Sequence, residues 1–270
     1  MSKLPYLNLG CGTTYNVNWI NVDFVSTGEG VIGHNLLEGI PFNDNTFEVV
    51  YHSHVLEHFP KDKAHLFIKE CYRVLKPGGI IRVAIPDLER ITRNYLKYLE
   101  ESLNNVPLAA EKYEWTILEM YDQVVRIKSG GDMLKYIKDK DKGNDAFLLE
   151  RNGKEAEGLI NALRKSNPEK DVKNNNLSFR AKIKERLLQR WLGKDFRSLM
   201  EPAIFRSQGE IHQWMYDRYS LKLLLQNGGF KDTAVMTGFE SSIQNWKMFE
   251  LDGKGNEVRK PDSLFMEARK

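Results

Sequence analysis

The sequence has 270 residues, 41% hydrophobic and 29% charged, and its mean hydropathy of −0.51 excludes a fibrous or disordered chain. The 40 basic and 37 acidic side chains leave a net charge of +3, too small to indicate a nucleic-acid partner. No apolar run approaches the ~20 residues of a membrane span. The N-terminus lacks a signal-peptide pattern, and two cysteines favour a reducing compartment. These features predict a soluble, cytoplasmic enzyme.

The first 87 residues alternate short apolar runs with turn signals, which is typical of an α/β sheet. Strands are predicted at Tyr6–Leu9, Trp19–Val22, Val31–Leu37, Phe47–Tyr51 and Ile80–Ile85. A helix is predicted between the last two, because apolar side chains recur at three- and four-residue steps from Pro60 to the stop signal Pro77-Gly-Gly79. This order predicts mostly parallel strands joined by crossovers.

Residues 88–210 differ in kind, being rich in Lys, Glu, Leu and Tyr with helical periodicity. After them the α/β pattern returns. A helix is predicted from an N-cap at Ser220 to Gly228-Gly229, followed by strands at Thr233–Thr237 and Leu264–Ala268. The predicted organisation is one α/β domain made of residues 1–87 and 211–270, with 88–210 as a helical insertion after the fifth strand.

A glycine turn, Gly10-Cys-Gly12, follows the first predicted strand, and Asp23 ends the second. In an open parallel sheet, ligands bind beyond the carboxyl ends of the strands, and glycines let the backbone approach them closely. A phosphate-binding loop is excluded because no lysine follows at the required spacing. The dinucleotide pattern fails as well, since Tyr15 occupies its third glycine position and Asp23 lies only 11 residues after Gly12. A strand-end turn without a ligand stays open as an alternative.

Several motifs in fixed order resemble class I S-adenosylmethionine-dependent methyltransferases, and within them the methyltransferase type 11 group. They are Leu7-Asn-Leu-Gly-Cys-Gly12, Asn21-Val-Asp23, Asp44-Asn-Thr-Phe-Glu48, His54-Val-Leu-Glu-His58, Cys71-Tyr-Arg-Val-Leu-Lys-Pro-Gly-Gly79 and Ile85-Pro-Asp87. The resemblance covers residues 4–87 and resumes at His212-Gln-Trp-Met-Tyr216, a stretch similar to bacterial surface-polysaccharide methyltransferases. It implies a Rossmann-like methyltransferase sheet, mostly parallel with an antiparallel last strand.

The resemblance also implies S-adenosylmethionine as cofactor and assigns residues to it. Gly10, Cys11 and Gly12 would pass along its methionine part, Asp23 would hold the ribose, Asn35 and Leu36 would frame the adenine, and Ser53 would lie near the sulfur. Asn8 and Asn35 stand where the family carries acids, so the cofactor site differs in charge. The short interval from Gly12 to Asp23 predicts a first crossover helix of one turn or none.

Three histidines, His52, His54 and His58, fall within seven residues. His52 and His54 are predicted to share one face of a strand. In ubiquinone-biosynthesis methyltransferases, which this stretch resembles, Glu-x-x-Glu-His supplies metal ligands, and His54, Glu57 and His58 match those positions. Because Leu-Glu-His is also a common structural signature of the fold, we favour that role and predict no metal.

Three residues are predicted as catalytic: His58, Asp87 and His212. Histidine serves as a general base near neutral pH. Asp87 ends the fifth strand, where it either deprotonates a sugar hydroxyl or caps the next helix. His212 lies beside Trp214, Met215 and Tyr216, so it either helps to form a wall for a sugar ring or is a buried structural histidine.

The predicted function is O-methylation of a sugar or glycan in polysaccharide biosynthesis, with 88–210 as lid and acceptor-binding region. A small phenolic or lipid-like acceptor is one alternative, and a non-catalytic cofactor-binding module is another. Nucleic-acid bases are disfavoured, since Ser53-His54-Val55-Leu56 stands where base methyltransferases carry Asn/Asp-Pro-Pro-aromatic. A basic amphipathic helix over 179–192 predicts peripheral membrane contact or a lid helix. The oligomeric state is not predicted.

Overall fold

The computed structural model describes residues 3–139, 142–165, 196–207 and 209–270. The basic segment 179–192 lies outside the described residues. Within the described part of the chain, no helix is both long and apolar enough to cross a bilayer.

A seven-stranded sheet forms the centre of the molecule. Its strands, in the spatial order β3-β2-β1-β4-β5-β9-β6, are β3 (Val31–Gly33), β2 (Ile20–Asp23), β1 (Tyr6–Leu9), β4 (Phe47–Ser53), β5 (Leu75–Pro86), β9 (Ser263–Arg269) and β6 (Lys231–Met236). The strand β9 runs antiparallel to both of its neighbours, while β1 to β5 pair in parallel. This confirms the predicted fold class, a mostly parallel sheet whose last strand is antiparallel. A separate hairpin joins β7 (Gly253–Lys254) to β8 (Glu257–Val258).

Two strand predictions differ from the structure by more than two residues at one end. β3 ends at Gly33 rather than Leu37, because the Asn35 side chain accepts the backbone N–H of Leu37 and starts a short 3-10 helix there. β5 already begins at Leu75 and passes through Pro77-Gly-Gly79, where a pairing irregularity with β4 absorbs the residues that do not pair.

Eight α-helices lie in the described residues. They are α1 (Lys61–Val74), α2 (Leu88–Leu103), α3 (Ala109–Val125), α4 (Gly131–Lys138), α5 (Asp145–Asn152), α6 (Lys154–Lys165), α7 (Phe196–Ser207) and α8 (Arg218–Asn227). The apolar face of α1, including Phe67, Ile68 and Cys71, packs into the main core against the sheet. The helices α2 to α6, which we call the helical block, have a core of their own built on Tyr98, Trp115 and Phe147.

The other face of the sheet is covered by the segment 237–262, here called the cover segment. No helix connects β1 to β2, as the short spacing predicted. Trp246 and Leu251 of the cover segment pack instead with Trp19 and Tyr51 in a second apolar core. The connection between β6 and β9 therefore fills the place of the missing crossover helix.

The N-cap of α8 is Asp217, not the predicted Ser220. The Asp217 carboxylate accepts the backbone N–H groups of Tyr219 and Ser220, and the Ser220 hydroxyl accepts the N–H of Asp217. Ser220 is thus the third residue of the helix and the second half of a capping box.

Candidate functional site

The first cleft, of about 340 Å³, opens at the carboxyl ends of β1 and β4. It lies where ligands bind in an open parallel sheet, and its volume is in the range of small-molecule sites. Its walls are Asn8, Gly10, Cys11, Gly12, Thr13, Thr14, Tyr51, Ser53, His54, Leu251, Asp252, Arg259, Lys260 and Phe265. Five of these residues were predicted to bind the cofactor: Asn8, Gly10, Cys11, Gly12 and Ser53. The sheet thus brings Ser53 next to the glycine loop, more than 40 positions earlier in the sequence.

The glycine loop is open toward this cleft. Gly12 has φ +54°, and a Cβ added there would meet no atom within 4 Å. Gly10 also has a positive φ, and a Cβ there would collide with the Val55 side chain. Gly10 therefore permits close packing and the backbone turn, whereas Gly12 leaves room for a ligand against the main chain.

Asp23 is turned toward the glycine loop. Its Oδ2 accepts the Gly12 N–H at 2.7 Å and its Oδ1 accepts the Phe24 N–H at 2.7 Å. Each carboxylate oxygen has a second lone pair, so Asp23 can fix the loop and still accept the hydroxyls of a ligand.

The predicted adenine residues lie apart from the first cleft. Asn35 and Leu36 follow β3 and do not line it, although both are half-buried. The Asn35 amide caps the 3-10 helix and donates to Glu38 Oε1 at 3.0 Å. The roles predicted for Asn35 and Leu36 stay predictions.

A second cleft, of about 210 Å³, lies between the sheet edge and the helical block. It is lined by His54, Pro86, Ile91, Glu119, Gln123, Met133, Asn152, Lys260 and Asp262. His54 and Lys260 line both clefts. The two spaces therefore adjoin, and a group held in one can meet a group held in the other.

The prediction that His52 and His54 share a strand face was wrong. β4 ends at Ser53, and His54 has φ +54°, which redirects the chain. His52 is fully buried against Phe67 of α1, whereas the His54 ring lies between the clefts. The His54 Nε2 bonds the Ser263 hydroxyl at 2.8 Å, and its Nδ1 lies 3.2 Å from Glu57 Oε1.

The three residues predicted as catalytic line neither cleft. Asp87 caps α2 by accepting the Arg90 N–H, and burial raises its pKa. His58 is half-buried, and its Nδ1 lies 3.0 Å from the Ile211 carbonyl. His212 is buried 4.8 Å, centroid to centroid, from the His58 ring, and burial lowers its pKa to about 3. Their catalytic roles stay predictions.

Sequence reasoning missed the walls contributed by distant segments. Leu251, Asp252, Arg259 and Lys260 belong to the cover segment, while Glu119 and Asn152 belong to helices of the helical block. None of them stands in a motif. Polar residues that recur at three-residue steps in α3, namely Thr116, Glu119 and Asp122, were the available signal.

Residues 7–83 match the methyltransferase domain family. Short stretches are similar to "Probable methyltransferase ltbC" of Aspergillus luteorubrus, 46% identical over 48 residues, and to "Probable S-adenosylmethionine-dependent methyltransferase" of Mycolicibacterium smegmatis, 43% identical over 61 residues. These matches span 17% and 23% of this chain, and 17% and 22% of those proteins. The amino-terminal part of the sheet thus carries the sequence pattern of a methyltransferase domain.

Among solved structures, a SAM-dependent methyltransferase from Archaeoglobus fulgidus aligns with 100% of this chain and 86% of its own, at 12% identity and a TM-score of 0.40. A SAM-dependent methyltransferase from Thermotoga maritima aligns with 98% of this chain and 81% of its own, at 14% identity and a TM-score of 0.38.

Proposed function

We propose that the protein is an S-adenosylmethionine-dependent methyltransferase that O-methylates a hydroxyl of a sugar or glycan. The observation that carries this proposal is the meeting of the two clefts at His54 and Lys260. One cleft adjoins the glycine loop of the methyltransferase domain match, and the other lies under the helical block. A transferase for two substrates needs such adjoining sites to bring the reacting atoms together.

The residues of the first cleft fit the cofactor. When bound, S-adenosylmethionine supplies an electrophilic methyl group on a sulfonium. The open space beside Gly12 admits a ligand against the backbone. Asp23 does not itself line the cleft, but it accepts the Gly12 N–H and retains lone pairs for ribose hydroxyls. Thr13 and Thr14 continue the site into a neighbouring groove of about 510 Å³, which gives room for a ligand longer than the cleft.

The second cleft suits an acceptor rich in hydroxyl groups. Its described lining includes the polar side chains of Gln123, Asn152, Lys260 and Asp262 and holds no Phe, Tyr or Trp. Hydroxyl groups need hydrogen-bonding partners when they leave water, whereas a phenol gains most from apolar and aromatic walls. The lining therefore favours a sugar over the phenolic or lipid-like alternative.

Methyl transfer to a hydroxyl requires that the oxygen be held in line with the methyl group and lose its proton. His54, on the wall between the clefts, has its two ring nitrogens engaged by Ser263 and Glu57, so it is a positioning residue for the groups that hold this oxygen. Asp262 lines the second cleft, and its backbone carbonyl accepts the N–H of Asp87. Asp262, which lines the cleft, is the candidate to accept the proton, and Asp87 stays the sequence-based candidate outside the cleft lining.

Calorimetry with S-adenosylhomocysteine tests the cofactor site. We expect binding by the unaltered protein and a loss of about tenfold or more in Asp23→Asn, because a hydrogen bond to a charged acceptor contributes about 1.5–3 kcal/mol. Asp132→Asn, at an exposed position, is the control. An unaltered protein that does not bind the ligand refutes the proposal.

Transfer of labelled methyl into glycan precursors and phenols tests the reaction. We expect His54→Ala to lower the rate of methyl transfer at least about 100-fold, and more than it lowers the affinity for S-adenosylhomocysteine, whereas the exposed His65→Ala should change neither. His58→Ala, Asp87→Ala and His212→Ala test the sequence-based assignments in the same assay. Ligand binding without transfer to any acceptor would favour the non-catalytic module instead.

A further inference from the structure

Glu57 is a fully buried carboxylate without adequate partners. Its side chain has no exposed surface, and among the described residues neither oxygen makes a hydrogen bond of good geometry. Its ion pairs in the same part of the chain are with His54 and His212, whose imidazoles carry no fixed charge. Burying a carboxylate costs several kcal/mol unless it is compensated.

Other buried polar atoms beside Glu57 share this condition. Both ring nitrogens of His52 and the Tyr216 hydroxyl are buried without a hydrogen-bond partner among the described residues. Both residues interact electrostatically with Glu57. Because buried polar groups in folded proteins are nearly always satisfied, a cluster of such atoms indicates a bound polar species.

Two histidines complete a ligand set around this carboxylate. One ligand atom from each of Glu57, His58 and His212 lies within 4.8 Å of the others. Ligand atoms around a tetrahedral zinc ion are about 3.4 Å apart, so small side-chain rotations bring the three onto one ion. One carboxylate with two imidazoles is a set that zinc takes in proteins.

The hydrogen bonds of the cluster also suit coordination. The carbonyl of Ile211 can only accept, so His58 donates from Nδ1 and keeps a free lone pair on Nε2. Metal-binding histidines typically donate their other nitrogen to a carbonyl or carboxylate in this manner. His54, with Nδ1 beside Glu57 Oε1, is placed to orient the carboxylate from outside the ligand set.

We propose that Glu57, His58 and His212 bind one divalent transition-metal ion of the zinc type, which fastens the return of the chain from the helical block to the turn after β4. The backbone already joins these segments, since Gln213 N–H donates to the Glu57 carbonyl at 2.7 Å. Glu57 and His212 are buried, and three protein ligands leave the fourth position of a tetrahedral ion to a water molecule.

Zinc titration of the chelator-treated, tag-free full chain tests this inference by calorimetry. We expect one zinc ion per chain, visible absorption bands when Co²⁺ replaces Zn²⁺, and no competition by Mg²⁺, which prefers oxygen ligands. Replacing a residue that only orients a ligand typically lowers metal affinity ~10–100-fold, and we expect a loss of zinc affinity of this size for His54→Gln. His58→Ala and His212→Ala remove ligands and should lower the zinc affinity by more than that. His65→Ala, at an exposed position of α1, should bind as the unaltered protein does.

Hydrogen exchange supplies a second readout. Zinc should slow amide exchange in residues 209–217 of the unaltered protein but not of His212→Ala. The inference is overturned if the unaltered chain binds no zinc, or if His58→Ala and His212→Ala bind it as His65→Ala does. Circular dichroism and S-adenosylhomocysteine binding verify that each variant folds. If Glu57→Gln fails to fold, zinc binding by His58→Ala decides the question, because His58 is only half-buried. Neither the zinc titration nor the hydrogen exchange depends on methyl transfer.

Discussion

At the residue scale, Asn8 organises the loop after β1 from a buried position. Its Nδ2 donates to Asn21 Oδ1 at 3.3 Å and to the Thr14 carbonyl at 3.4 Å. Both partners are acceptors, so this position requires a donor. The Asn21 amide in turn donates to the carbonyls of Asn16 and Trp19, which ties the same loop to β2. A neutral amide therefore has a structural reason to stand at this position, where the family resemblance implies an acid.

Replacement of Asn8 by Asp should destabilise the protein. The carboxylate loses both donated hydrogen bonds and faces two acceptors, so we expect the free energy of unfolding to fall by about 1–3 kcal/mol. Urea denaturation measures this change. Asn18→Asp, at an exposed position of the same loop, should change stability by less than about 0.5 kcal/mol. Equal effects of the two substitutions would contradict this account.

Cys11 should be a slow nucleophile although it lines the first cleft. Burial raises the pKa of its thiol to about 11, and the Asp23 carboxylate adds to the effect. The thiolate is the reactive form, so iodoacetamide should modify Cys11 at pH 8 about 100-fold more slowly than a free cysteine, with the rate increasing up to about pH 11. Mass spectrometry follows the modification, and the urea-unfolded chain provides the reference. Rapid labelling of the folded protein at pH 8 would refute the expectation.

At the element scale, α8 shows why a helix start is difficult to locate from sequence. Asp217 and Ser220 are both good N-cap residues. The structure selects Asp217, because Tyr216 pairs with Asp87 at the sheet edge and the chain turns into the helix directly afterwards. The helix begins with Arg218 and Tyr219, two residues after Tyr216. The tertiary contact of Tyr216 thus fixes where the helix begins.

Asp217→Ala should lower the free energy of unfolding by about 1–2 kcal/mol, because two backbone N–H groups lose their acceptor. Ser220→Ala should cost less, since it removes the weaker half of the capping box. The hydrogen bond from the Ser220 N–H lowers the pKa of Asp217 in the folded protein. The contribution of this cap to the free energy of unfolding is therefore fully present above the pKa that Asp217 has in the unfolded chain, and it is lost as pH falls through the lower pKa of the folded protein. Urea denaturation at pH 7 and pH 3 measures both effects, and a larger loss in Ser220→Ala would be contrary to the assigned cap.

At the scale of the whole molecule, Arg82 joins the sheet to the cover segment. It is fully buried on β5 and pairs with Glu267 of β9 and with Asp252 of the cover segment, each at 2.7 Å. Its guanidinium also lies 4.4 Å from the centre of the Trp246 ring. Asp252 lines the first cleft, so this network connects the stability of the cover to the candidate cofactor site.

Arg82→Met should leave two buried carboxylates unpaired and lower the free energy of unfolding by about 3–5 kcal/mol. It should also weaken S-adenosylhomocysteine binding, because the cover segment loses its anchor. The control is Arg93→Met, which breaks an exposed pair with Glu89 and should cost less than about 0.5 kcal/mol. Thermal and urea unfolding measure the difference, and similar losses in the two variants would show that the buried network does not hold the cover in place.

The fold was largely predictable because its signals are local. Strands such as β1 and β4 are apolar runs bounded by glycine and turn residues, and α1 has a regular apolar face. The glycine loop and Asp23 were found for a related reason, since carboxyl ends of parallel strands meet at one edge. The cover segment was not found, because nothing in residues 237–262 shows that Trp246 packs beside Trp19, 227 positions earlier.

The strands of the parallel sheet and the residues of the glycine loop could be predicted from the sequence, since hydrophobic period and turn chemistry act over a few neighbouring residues. The position of His54 between two clefts and the burial of Glu57 among histidines could not be predicted in this way. Those features depend on the φ of one residue and on segments more than 150 positions apart, and the free energy of such contacts is set by packing that local patterns do not encode.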